Sequence, residues 1–312
     1  MGEDSKTIEV LVIGRACVDY ISVVERFPLV NTKVPLKMRL VEGGGQGATS
    51  SCCIARLGGE VSYIGRIGDD EEGRICLNRL RQCGVDTALV EIVKGGLTPV
   101  AYVFVTRATG ERTIIYERSL IPPVNLTPRV KMLLERSRVL LLDPQVTGLA
   151  GELKSVSGLP VVVYDCERWR EGMEDMMALA DYFIPSSEFL NDAGDKVAGS
   201  LIADRILSLA DMVAGTLVVT DGDNGAYYID EGRLYQVLPP RVAIRDTTGA
   251  GDNFHAAFAL AISRGMALPE AVRFSVAVAT LSCRDYGGRA GIPDFDEAMQ
   301  TAGTLAARRI GQ

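Results

Sequence analysis

Six short apolar runs punctuate the chain, and most of them do not alternate with polar residues. They are Ile8–Gly14, Val61–Ile64, Val139–Asp143, Val161–Asp165, Tyr182–Pro185 and Thr216–Thr220. Continuous Val, Ile and Leu over so short a length suits strands that are buried on both faces of a parallel sheet. Between them, apolar residues recur at helical spacing over Gln46–Leu57, Glu71–Gln82, Thr127–Glu135, Val197–Ala210, Gly251–Arg264 and Pro269–Arg284. Gly58-Gly59 and Gly84 follow the first two of these, where a helix C-terminus favours a residue free to adopt positive φ. Strand–helix alternation of this kind predicts an α/β fold with a doubly wound, mostly parallel sheet and helices on both faces.

Two segments break the rhythm. Tyr20–Leu40 and Pro99–Glu117 read as strands joined by turns, and the turn ATGE, with Gly110 at its tight point, joins PVAYVFVT to RTIIYE as a hairpin. They predict a small β-sheet lid built from about residues 16–42 and 97–119. No linker or repeat divides the rest, so the expectation is a single domain over residues 1–312.

Composition narrows the partners. The 312 residues are 47% hydrophobic and 23% charged, with a formal net charge of −7. That is ordinary for a globular core and argues against nucleic acid or an anionic membrane as a partner. The opening MGEDSKTIEV carries no apolar signal core, and Lys6 stands where a myristoylation signal needs Ser or Thr, so a cytoplasmic location is expected. The seven cysteines form no CxxC pair and read as free thiols. His255 is the only histidine, which excludes HExxH zinc chemistry and leaves little room for a Ser-His-Asp triad. Its place in an apolar helix suggests packing.

Three glycine-rich segments remain as candidate chemistry. GGGQGATSS at 43–51 opens a helix but matches neither the dinucleotide fingerprint nor a Walker A loop, which leaves a close-packed helix start or a substrate loop. TDGDNGAYY at 220–228 follows a strand, as a plain turn or as a nucleotide loop at the carboxyl end of a parallel sheet. DTTGAGD at 246–252 is the most informative. Gly249, Ala250 and Gly251 have almost no side chain, so their amides can close on an anion at a helix N-terminus. Asp252, in the first turn, could take a proton from a hydroxyl while the amides stabilise a transferring phosphate. A strand before the motif and a helix after it are expected.

DTTGAGD and the apolar helix behind it resemble the signature of the ribokinase-like (PfkB) carbohydrate and nucleoside kinases. The resemblance extends through Gly14 to Asp19, Gly44 to Gly58, RIGDDEEG at 66–73, GVD at 84–86 and GERTI at 110–114. VDYISVVERFP and GERTIIYERSLIP look most similar to ketohexokinases and sulfofructose kinases. The resemblance implies an ATP-dependent sugar kinase with Asp252 as base and Gly249, Ala250 and Gly251 as anion hole. It implies Arg112 reaching the phosphate from the lid, with Asp19, Gly44, Gly45, Gln46 and Thr49 toward the sugar. Thr220, Gly222, Gly225 and Thr247 would lie along ATP. It further implies Mg2+, in many members a monovalent cation, and a homodimer formed through the lid; the metal ligands are left open. Two positions depart from the family. Thr49 and Gln46 stand where asparagines hold sugar hydroxyls, which argues against fructose itself, and IPSSEFLND lacks the family's Asn-x-x-Glu. A nucleoside kinase is the alternative, with Tyr20, Phe27, Tyr102 and Phe104 available to a base. A non-catalytic sugar or nucleotide sensor is the other.

Overall fold

The computed structural model describes residues 7–311; the N-terminal residues 1–6, including Lys6, and Gln312 lie outside the described part. The chain begins with strands β1 (Ile8–Ile13), β2 (Cys17–Val24) and β3 (Met38–Gly44), then helix α1 (Gln46–Arg56), β4 (Val61–Ile64), β5 (Arg66–Gly68) and α2 (Glu71–Gln82). Next come β6 (Glu91–Val93), the hairpin β7 (Val100–Thr106) and β8 (Arg112–Tyr116), α3 (Pro128–Glu135), β9 (Ser137–Leu142) and α4 (Ala150–Leu153). The middle continues with β10 (Val161–Cys166), α5 (Met173–Leu179), β11 (Tyr182–Pro185), α6 (Ser187–Ala193), α7 (Ile202–Ala210) and β12 (Thr216–Thr220). It closes with β13 (Ala226–Asp230), β14 (Arg233–Val237), α8 (Ala250–Ser263), α9 (Leu268–Ser282), α10 (Phe295–Ala302) and β15 (Ala307–Arg309).

The large sheet runs β15-β14-β13-β12-β11-β10-β9-β1-β4. From β4 to β12 every pairing is parallel, and β13 to β15 extend the sheet antiparallel. Alternate residues of each central strand feed two separate cores. Val10, Val12, Val139, Leu141, Val163, Ile184 and Val218 pack on one side with α1, α8 and α9. Leu11, Ile13, Leu140, Leu142, Val162, Tyr164 and Phe183 pack on the other with α3, α5, α6 and α7. Two apolar faces per strand are what produce the unbroken apolar runs in the sequence.

The smaller sheet has the order β3-β2-β7-β8, with β7 and β8 joined at Gly110, whose φ is 73°. Two expectations about elements need correction. The helix expected over 197–210 begins only at Ile202, because Gly199 sits at φ 112°, outside the helical range of L-residues. No strand directly precedes Asp246: β14 ends at Val237, and Pro239-Pro240 supply no amide donors to continue a ladder. The segment is instead tied down where the amides of Arg245 and Asp246 donate to the Cys283 carbonyl.

Candidate functional site

The parallel strands end together, and chemistry-bearing residues gather at that edge: Gly14 after β1, Asp143 after β9, Glu167 after β10, and Thr220 closing β12. Open α/β sheets bind ligands at such an edge because loops and helix N-termini converge there. Helix α8 starts here. Its N-cap Gly249 takes φ 73°, and a Cβ at that position would fall 2.8 Å from the Gly288 Cα, so only glycine fits. No side chain caps the helix. Ala250 N–H donates to the Thr247 carbonyl, while the amides of Gly249, Gly251 and Asp252 belong to the first turn, where no carbonyl lies one turn back. Nothing comes within 4 Å of a Cβ placed on Gly251, so the space in front of that turn is open. A helix end of this kind favours an anion.

Asp252 occupies this turn, held by its own carbonyl, which accepts from the Ser50 hydroxyl at 3.0 Å. Its carboxyl is pushed up to about 8, first by burial and then by the negative charges of Glu167 and Asp19, with Arg112 opposing them. Asp246, the other carboxylate of the motif, is a staple. Its Oδ1 accepts from the Thr248 amide (2.8 Å) and hydroxyl (2.6 Å), and its Oδ2 accepts from the Gly287 amide (2.8 Å). Arg112, on the small sheet, donates through Nη1 to Thr247 Oγ1 at 2.8 Å across 135 residues of sequence. His255 is buried, its ring nitrogens 2.7 and 3.0 Å from the carbonyls of Gly251 and Ile184, and burial keeps it below its usual pKa. It anchors the first turn of α8 to β11.

The second glycine loop abuts the first. Gly44 pairs with Cys17 in the small sheet, and a Cβ there would overlap the Asp19 carboxylate at 2.2 Å. Gly45, at φ 88°, caps α1; Gln46 is its first residue, and Thr49 is buried one turn in. The Thr49 methyl lies against both Gly249 and Gly288, 3.4 and 3.5 Å from the positions their Cβ atoms would take. The expected anion hole and the expected sugar loop are therefore in contact. Burial raises the Asp19 carboxyl, while Cys17 Sγ donates to it at 3.3 Å. At the other end of the edge, Thr220 is bridged to Ser186, and Gly222–Asn224 forms a short turn before β13. Gly225 is required because a Cβ there would sit 1.9 Å from the Val237 carbonyl oxygen.

Sequence reasoning passed over two residues of this region. Asp143 accepts from the amides of Arg15 (2.5 Å), Gly47 (3.2 Å) and Gln145 (2.9 Å), locking the loop after β1 to the start of α1. Its position at the carboxyl end of an apolar strand was the available signal. Arg289 reaches Thr49 and Gly44 from the loop after α9; only the adjacent Gly287-Gly288 hinted at a close approach there.

The sequence profile of the pfkB family carbohydrate kinases matches residues 7–294. The chain belongs to that family. It is 26% identical to a ribokinase of Bacillus subtilis over 300 residues, covering 93% of this chain and 98% of that one. It is 27% identical to a nucleoside kinase of Methanothermobacter thermautotrophicus, covering 96% of each. The structure of Arabidopsis thaliana ribokinase complexed with ribose and ATP superposes with a TM-score of 0.78 at 24% identity, covering 94% of this chain and 98% of that one. As a pfkB kinase the protein is a phosphotransferase, with the mostly parallel large sheet and separate small sheet of its structural relatives. Among the described residues, no helix is long and apolar enough to cross a membrane.

Proposed function

We propose that this pfkB kinase transfers the γ-phosphate of ATP to a hydroxyl of a small carbohydrate. The observation that carries the reading is that Asp252 shares one helix turn with three first-turn amides, against the Gly44–Thr49 loop. ATP would supply the phosphoryl group; the open turn before Gly251 and the Gly222–Gly225 turn on the same sheet edge fit its phosphates. Asp252 takes the acceptor hydroxyl's proton as that oxygen bonds to phosphorus and the bond to the departing ADP oxygen breaks. The amides of Gly249 and Gly251 and the guanidinium of Arg112 stabilise charge on the transferring group, and Ala250, whose amide is held by the Thr247 carbonyl, joins them by letting that contact go. Thr220, Gly222, Gly225 and Thr247 line the nucleotide, and Asp19, Gly44, Gly45, Gln46 and Thr49 face the acceptor.

Among the described residues, no group of three or more His, Cys, Asp and Glu is arranged to hold a metal alone, so Mg2+ would be held chiefly by the nucleotide's phosphates. Asp246 is engaged by three protein donors, and no step above uses a monovalent cation. We read the chain as one domain with the small sheet as its lid, which excludes water when it closes. The lid's exposed Tyr102 and Ile115 suit a homodimer through this sheet. The seven cysteines, all free, suit the cytoplasm.

The nucleoside alternative loses its original support. In the strand register Asp19, Arg112 and Tyr116 share one face of the small sheet, while Tyr20, Tyr102 and Phe104 share the opposite one. Tyr20 stacks on Tyr102, and Phe27 meets Phe104 edge-on, away from the pocket. Among the described residues, Tyr116 and Tyr286 lie on the pocket-side face instead. The deciding experiment measures ADP release over a panel of sugars and nucleosides with wild type and Asp252→Asn. Sugar-dependent ADP release that Asp252→Asn abolishes is expected. A wild type that binds sugars without turning any over supports the sensor instead.

A further inference from the structure

Arg289 is a recessed charge with an incomplete set of hydrogen bonds, beside the thiols of Cys52 and Cys83 and the carboxyl of Asp19. Its Nε and Nη2 lie 3.4 and 3.5 Å from Thr49 Oγ1, and Nη2 donates to the Gly44 carbonyl at 3.3 Å. Its Nη1 is sealed from solvent with no hydrogen-bond partner, tucked where a Cβ on Gly43 would come within 2.6 Å. Among the described residues, no carboxylate lies within 4.0 Å of this guanidinium in an ion pair. A recessed cation normally has a counter-charge, because its desolvation is otherwise uncompensated. A second guanidinium repeats the pattern: Arg15 Nε is also buried without a partner, with its guanidinium 6.0 Å from the Tyr116 ring on the lid's pocket-side face. Arg289 and Arg15 both act on the same carboxylate, Asp19. The wall of the acceptor pocket around Asp19 therefore carries two incompletely bonded cations, Arg289 and Arg15, with the other carboxylates, Asp252 and Glu167 among them, toward the phosphate side.

The hydrogen-bond inventory points the same way. Arg289 has donors only, so its contacts fill acceptor positions on Thr49 Oγ1 and the Gly44 carbonyl. The Thr49 hydroxyl proton has no acceptor among these contacts. The wall beside the anion hole thus offers a donor backed by positive charge, while Asp19 accepts from hydroxyls.

We propose that Arg289 sets acceptor specificity by orienting Thr49, and that the acceptor is a polyol bearing a carboxylate, a sugar acid, with the carboxylate toward Thr49 and hydroxyls toward Asp19. Arg289 is a positioning residue, and the inference rests on the kinase reading above. The probes are an aldonate and the neutral aldose of equal carbon number, assayed by ADP release and by thermal shift without nucleotide. Wild type should favour the aldonate at least ~10-fold in kcat/KM, the worth of one charge-assisted hydrogen bond. Arg289→Gln should raise KM for the aldonate about 10-fold, leave kcat and the KM for ATP within about 3-fold, and erase the preference. Arg289→Lys should retain part of it. A merely structural arginine would instead lower the melting temperature and affect both acceptors alike. Turnover of the neutral sugar with no acid preference overturns this inference and leaves the kinase standing. Absence of turnover on every sugar, with no thermal shift by the aldonate, overturns both.

Discussion

The two sheets use the same residue types to different ends. In the large sheet, each central strand has core on both sides, so Val10, Leu11, Val12 and Ile13 are all fully buried. In the small sheet, Ile21, Val23, Ala101, Val103 and Val105 are buried on one face, while β8 is exposed along its whole length. The large sheet's edge holds Asp252 and its amides in place through Ser50, Asp246 and His255, which bond the turn to its neighbours. The small sheet presents Asp19 and Arg112 from a thinner support. A kinase needs both: a rigid anion site and a cover able to part from it.

The most severe test of the rigid half is Asp252→Asn. Loss of the base should lower kcat by about 10²–10⁴. With its pKa raised from 3.8 to about 8, the free enzyme should gain kcat/KM as pH rises through about 8. Stability runs the opposite way. The folded state holds the proton more tightly than the unfolded one, so that contribution is full below pH 4 and lost as pH rises through about 8. Asp252→Asn should therefore melt progressively higher than wild type toward pH 9, and no such trend would show that the carboxyl is not recessed in this way.

Leu141→Ala probes the same half for packing. It should cost about 2–5 kcal/mol in denaturant unfolding, against about 0.5 kcal/mol or less for Ile115→Ala in the lid. Equal losses would contradict the division between the sheets. Arg112→Ala should lower kcat by roughly 10²-fold while leaving the melting temperature within a degree or two, with Arg112→Lys intermediate. The smallest catalytic effect is expected from Ile115→Glu on the lid's outer face. It should shift a dimer toward monomer by size exclusion, and an unchanged elution volume would remove the lid from the interface.

Much of this could be read along the chain. Unbroken apolar runs located all six parallel strands because burial on two faces leaves no room for polar residues in such short segments. Gly249, Ala250, Gly251 and Asp252 could be read as an anion site because helix starts and small residues leave local signatures. The hairpin at Gly110 announced the small sheet.

Other features depend on contacts between distant segments, which local pattern does not encode. The antiparallel extension β13–β15 was not visible because its short strands lack a long periodic signal. Asp246 and Asp252 look equivalent in the motif, yet one is consumed by Thr248 and Gly287 and the other is left free. The aromatics Tyr20 and Tyr102 could be placed in the lid, but strand register alone turned them away from Asp19. The chain by itself determined the fold class and the glycine-rich turn that opens α8, because both follow from local periodicity and helix-end chemistry. Tertiary structure decided which carboxylate of the motif is left without a hydrogen-bond donor, which way the small sheet faces, and that Arg289 stands behind Thr49. The first and last depend on where the loop after α9 meets Asp246 and, some 240 residues earlier, the start of α1; the second depends on strand register.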